Sequence, residues 1–199
     1  MDVIRHPRRK SLVINVRGTN GSGKTQLMYD FLHEFGSTPL KNKKGKVWAY
    51  RVHFEPTFYI LGRYEKLDDG CDTISGMHEI ADRIRKLAAM GDVLFEGIRV
   101  SMLSQAWVDL AKSMPQAHFI FATLDTPWKR IVKQIRKRRK EEGFEGKYDV
   151  SNVAIRRKAV LAAHERLEKA GMDTRWLYYK RPTHNIINWL LENEHGGEK

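Results

Sequence analysis

The chain alternates between two hydrophobic rhythms. Short apolar, β-branched runs predict strands at residues 12–16, 47–54, 92–96, 117–124 and 175–179. The run at 12–16 is apolar but for Asn15, as a central strand buried on both faces would be. Between the runs lie stretches of helical period, over residues 24–35, 74–90, 100–113, 128–142, 150–170 and 183–191. In the second of these, Met77, Ile80, Ile84, Leu87 and Ala88 form one stripe, and Gly91 stands where a helix C-cap belongs. Gly36-Ser37-Thr38-Pro39 stops the first helix, and Asp125 or Thr126 caps the fourth. Residues 57–75 carry no clear period and read as a long irregular loop, a length that compact domains keep for function. Strand and helix in alternation predict an α/β fold: three layers, α/β/α, around a mainly parallel five-stranded sheet.

The junction between the first strand and first helix carries the strongest chemistry. Gly18, Thr19, Asn20, Gly21, Ser22, Gly23, Lys24 and Thr25 fit G-x-x-x-x-G-K-[ST], between a predicted strand and a predicted helix. Glycines let backbone N–H groups converge on phosphate oxygens, and the helix N-terminus adds its positive dipole end. In this P-loop reading Lys24 reaches the outer phosphates of ATP and the Thr25 hydroxyl binds Mg²⁺.

Composition then narrows the partners. With 36 Lys+Arg against 24 Asp+Glu in 199 residues, the chain carries a formal charge of +12. Basic residues cluster at 5–10, 41–46 and 129–140, and a triphosphate accounts only for the last cluster. A polyanion such as DNA is the partner such a field attracts. The one cysteine, Cys71, leaves no pair for an internal disulfide or a cysteine zinc site. The sequence shows neither a membrane-length apolar run nor a secretory leader, so a cytoplasmic protein is expected. Residues 1–199 read as one domain, with a basic arm at 1–10 and a basic helical lid at about 128–149.

Ligands of an open parallel sheet bind beyond the carboxyl ends of its strands. Glu96 ends an apolar strand, where a carboxylate holds Mg²⁺. Glu55 ends the second predicted strand, placed to take a proton from a substrate hydroxyl, and Asp72 lies in the loop between them. Arg136, Arg138 and Arg139 are the candidates for closing over the donor phosphates.

Taken in order, the P-loop, Glu55-Pro56, Phe95-Glu96-Gly97, Leu124-Asp125-Thr126-Pro127 and the basic segment at 135–143 resemble the deoxynucleoside kinase and thymidylate kinase group. That resemblance implies Glu55 as the base and lid arginines among Arg136, Arg138 and Arg139. Where those kinases carry Glu-Arg-Ser, this chain has Glu96-Gly97-Ile98-Arg99, which leaves Arg99 as a shifted candidate. The segment at 60–76, followed by Val93-Leu94-Phe95-Glu96-Gly97, is similar to a phage group of P-loop kinases that phosphorylate 5-hydroxymethyluracil within DNA. This second resemblance implies an acceptor already in polymer, places Asp72 and Thr73 at its pocket, and makes Asp72 a rival to Glu55 as base. Trp48, Tyr50, Phe58, Tyr59 and Tyr64 would then be available to stack on an extruded base. Two other activities fit the same residues: a kinase of free deoxynucleosides or nucleoside monophosphates, and a DNA-binding ATPase.

Overall fold

The structure is a computed structural model that describes residues 9–65, 70–144 and 149–195. The basic arm up to residue 8, Asp68-Asp69, and lid residues 145–148 lie outside the described residues.

Among the described residues seven strands form one mixed sheet: β1 (Ser11–Arg17), β2 (Ser37–Lys41), β3 (Val47–Val52), β4 (Phe58–Leu61), β5 (Asp92–Glu96), β6 (Ala117–Leu124) and β7 (Asp173–Leu177). Their order is β2-β3-β4-β5-β1-β6-β7. The five from β4 to β7 run parallel, whereas β2, β3 and β4 are joined antiparallel. The expected five-stranded, mainly parallel sheet is therefore corrected to a seven-stranded mixed one. Two strands escaped the sequence pattern for physical reasons. In β2, Ser-Thr-Pro reads as a helix stop, yet an edge strand tolerates a proline. In β4, four residues, Phe-Tyr-Ile-Leu, are buried on both faces and show no alternation inside a segment read as loop.

Among the described residues seven helices accompany the sheet: α1 (Lys24–Glu34), α2 (Met77–Ala88), α3 (Ile98–Met102), α4 (Gln105–Lys112), α5 (Trp128–Glu141), α6 (Ser151–Lys169) and α7 (Pro182–His195). Alternate residues of the central strands feed two cores. Val13, Phe95, Phe119 and Phe121 meet Ile80, Ile84 and Leu87 of α2, Trp107 of α4 and Leu167 of α6. Leu12, Ile14, Val16 and Ile120 meet Leu27, Met28 and Phe31 of α1 and Ile186 and Leu190 of α7. The helix expected over 100–113 is instead broken at Leu103 into α3 and α4. The Arg17 guanidinium takes the carbonyls of Ser101 and Leu103 there, which satisfies backbone that the break sets free. Neither Asp125 nor Thr126 caps α5: Asp125 accepts from Tyr179 N (2.7 Å), and Thr126 Oγ1 donates to the Ser22 carbonyl (2.7 Å).

Phe58, Tyr59 and Tyr64, among the aromatics offered for base stacking, are core residues, while Trp48 and Tyr50 are half-buried. Among the described residues no helix is long and apolar enough to cross a membrane.

Candidate active site

Parallel strands point their carboxyl ends the same way, so β1 and β5 deliver Gly18 and Glu96 to one end of the sheet. There the glycine-rich loop turns into α1, whose N-cap, Gly23, supplies no side-chain hydrogen bond, and whose first turn holds no acidic residue. The N–H groups of that first turn point out of the helix end toward any anion set before it. The loop is tied down from three elements: Gly18 N donates to Ser101 Oγ (3.3 Å), Thr19 Oγ1 to the Val153 carbonyl (3.3 Å), and Thr126 to Ser22. Arg156 reaches Asn20 Oδ1 at 3.2 Å. Ser22 Oγ is buried without a hydrogen-bond partner among the described residues.

A cavity of about 310 Å³ opens before this loop, lined by Asn20, Gly21, Gly23, Lys24, Thr25 and Gln26 on one side. Asp72, Glu96 and Ile98 line the floor, and Gln134, Ile135, Lys137, Arg138 and Glu141 of α5 line the opposite wall. Gln134, Lys137, Arg138 and Glu141 follow an i, i+3, i+4, i+7 spacing, which places them on one face of the helix, with Ile135 beside it. The approach of helix to loop is close: a Cβ on Gly21, whose φ is +73°, would fall 2.7 Å from Ile135 Cγ1.

The charges in this cavity are nearly sealed from water. Lys24 is 6% exposed and Glu96 2%. Lys24 Nζ donates to the Thr19 carbonyl (3.2 Å) and stands 4.0 Å from Glu96, which accepts from Thr25 Oγ1 at 3.2 Å. Burial pushes the Glu96 carboxyl up to about 7; Lys24 and the Thr25 hydroxyl pull the other way, and Asp72 adds to the rise. Burial likewise lowers the Lys24 ammonium, against the attraction of Glu96 and Asp72. Gly70 passes over Glu96; its φ is +89°, and its Cβ, if present, would fall 2.5 Å from Glu96 Oε1. Only glycine passes there.

Asp72 belongs to a 3₁₀ turn, Cys71–Thr73, that sits beside Gly97. Its carboxylate accepts from Ile98 N (2.7 Å) and Arg99 N (3.1 Å), the first two donors of α3. The Arg99 guanidinium donates to the carbonyls of Asp72 (2.7 Å) and Ile74 (2.9 Å), so Arg99 braces this turn and does not line the cavity.

The structure thus brings Lys24, Thr25, Asp72, Glu96 and Arg138 together, and corrects three sequence expectations. Glu55 is exposed in the turn between β3 and β4. Because β3 runs antiparallel to β4, its carboxyl end pairs at Val52 with Phe58, and Phe58 with Asp92, the first residue of β5. Glu55 is therefore at the opposite end of the sheet from Glu96, too far to act as the base. Arg136 is exposed away from the cavity, and Arg139 is held over the Phe144 ring at 4.7 Å. Gln134, Lys137 and Glu141 were not anticipated; the face of α5 that meets the loop depends on how the helix docks, which its sequence alone does not set. Among the described residues no group of three or more His, Cys, Asp or Glu side chains forms a metal cluster.

No family model matches the chain. It is 31% identical over 173 residues to a 5-hmdU DNA kinase of Pseudomonas phage PaMx11, covering 82% of this chain and 88% of that protein. It is 22% identical over 182 residues to a 5-hmdU DNA kinase of Delftia phage PhiW-14, covering 81% of this chain and 66% of that protein. At that identity and coverage, the chain belongs to the family of 5-hmdU DNA kinases.

Proposed function

We propose that this protein transfers the γ-phosphate of ATP to the hydroxymethyl oxygen of 5-hydroxymethyluracil in DNA, within a P-loop fold whose α5 serves as lid. The observation that carries the reading is the meeting of Lys24, Thr25, Glu96 and Asp72 in one cavity, in a chain whose relatives are named for this activity. The residues fit a bound triphosphate. The α1 N-terminus offers its first-turn donors, and buried Ser22 Oγ has a free valence beside the loop. Lys24, held in the interim by the Thr19 carbonyl, would turn to the outer phosphates.

Thr25 and Glu96 would hold Mg²⁺, which would supply Lewis-acid stabilisation of charge on the γ-phosphate. Asp72 would accept the proton of the acceptor hydroxyl as that oxygen bonds to phosphorus and the bond to ADP breaks. Its fixed position on the first two N–H groups of α3 keeps one geometry for this step. Arg138 would neutralise charge on the transferred group from the lid side.

The test is a label-transfer assay with γ-labelled ATP and Mg²⁺. Three acceptors are offered: DNA containing 5-hydroxymethyluracil, the same DNA with thymine, and free nucleosides and nucleoside monophosphates. Label on the modified DNA alone is expected. Label on a free nucleoside or monophosphate alone would replace the reading with a metabolic kinase, and released phosphate without a labelled acceptor would replace it with an ATPase.

A further inference from the structure

The turn joining β2 to β3 carries charge that the cavity does not use. Residues 41–46 are all exposed, four of them lysines: Lys41, Lys43, Lys44 and Lys46. Among the described residues none of the four pairs with a carboxylate. The turn is ordered from within. Asn42 Oδ1 accepts from Lys44 N (2.9 Å) and Lys46 N (3.0 Å), and Asn42 N and Gly45 N each close a 2.9 Å backbone bond across it. A groove of about 250 Å³ starts at its base, lined by Asn42, Lys46, Trp48, Arg63, Thr73 and Arg83. Arg83 is held over the Trp48 ring at 5.8 Å, with Glu79 of the same helix occupied by Arg83 and Ser75.

Strand direction places this groove beside the active cavity. Since β3 is reversed, its start lies at the carboxyl end of β4, where Gly62 N donates to the Trp48 carbonyl (3.0 Å). Arg63 then bridges to Gly70, the residue pressed against Glu96. One 3₁₀ turn is the party wall, with Asp72 on the cavity and Thr73 on the groove. From β5 to β3 is two strand spacings, about 10 Å, or about three base steps of a DNA strand at 3.4 Å each.

We infer that the β2–β3 turn and its groove hold the phosphodiester backbone of the DNA strand next to the base being phosphorylated. This rests on the DNA-kinase reading and gives it a location. Exposed, pre-ordered ammonium groups suit a polyanion that slides into register, whereas the phosphates of a nucleotide already have the glycine-rich loop. Deeper in the groove the Arg63 guanidinium adds a further contact, and an anchor a few steps away holds the strand while one base leaves the stack.

The test compares two triple variants of equal charge. Lys43→Gln/Lys44→Gln/Lys46→Gln neutralises the turn. Lys86→Gln/Lys112→Gln/Lys169→Gln neutralises exposed positions near the C-terminal ends of α2, α4 and α6, at the far end of the sheet. Affinity for a duplex with one 5-hydroxymethyluracil is read by fluorescence anisotropy, without nucleotide, over a salt series, and KM for the same DNA is read by label transfer. The turn variant is expected to bind at least about tenfold more weakly at 0.1 M salt, with the slope of log affinity against log salt reduced by about 2–3. Its KM rises in parallel, while the far-end variant shifts both by less than about threefold. Equal weakening in the two variants, or wild-type affinity in the turn variant, would overturn the inference. Wild-type protein that binds DNA through the turn yet transfers no label would sink the kinase reading and leave this surface standing. Label transfer with an unchanged KM in the turn variant would do the reverse.

Discussion

The cavity at β1 and β5 and the turn between β2 and β3 lie at the same end of one sheet and treat positive charge in opposite ways. In the cavity, Lys24 is enclosed with Glu96, and burial works against the charged form of each. Keeping an ammonium there is costly, and it is repaid only where charge develops on a reacting phosphate, because a dry site strengthens each contact. At the turn, four lysines stand in water, where their field is screened within about 10 Å at 0.1 M salt. Such charges attract and position; they add little to a bond-making step. The contrast assigns turnover to the enclosed charges and DNA affinity to the exposed ones.

The largest effect should come from Lys24→Ala, which lowers kcat at least about 10³-fold while duplex affinity stays within about threefold. Anisotropy beside label transfer checks both, and an equal loss in the two would erase the division of labour. Asp72→Asn should lower kcat about 10²- to 10³-fold with a smaller change in ATP affinity. Asparagine keeps one oxygen for Ile98 N but turns its amide NH2 toward Arg99 N, so thermal unfolding should shift by about 1–2 kcal/mol. An activity loss matched by a large stability loss would mean that Asp72 serves only as a cap.

A third effect comes from pH. The Glu96 carboxyl lies at about 7, above its ordinary 4.5, so below pH 7 the free enzyme carries it protonated and unable to hold a cation. kcat/KM for MgATP should fall up to tenfold per unit as pH drops below about 7. Stability runs in the other direction: the protonated group favours the fold, so its contribution is complete below about pH 4.5 and lost as pH rises through about 7. Glu96→Gln should remove that part of the pH dependence of thermal unfolding, and an unchanged profile would show that Glu96 does not titrate there. The smallest effect is expected for Glu55→Gln, within about twofold in kcat and KM by the same label-transfer assay. A hundredfold loss would restore Glu55 as the base and contradict the strand directions.

What the sequence determined was local. The run from Ser11 to Thr25 specifies strand, loop and helix by contiguous residues, and Glu96 at the end of an apolar strand follows the same logic. The long basic helix was equally legible, since its period needs only its own residues. Strand direction is a different kind of information. Whether the chain after Val52 crosses over to a parallel neighbour or turns straight back depends on Phe58–Leu61 pairing with both β3 and β5. That pairing is made by backbone groups common to every residue type, so four buried residues without alternation give it no signature. It sent Glu55 to the far end of the sheet and brought the lysine turn to the near one. The placing of the two carboxylates was decided in the same way: Asp72 reaches the cavity because Gly70 can pass against Glu96 and Arg99 pins the turn that follows, contacts made across a fold that no stretch of sequence contains by itself.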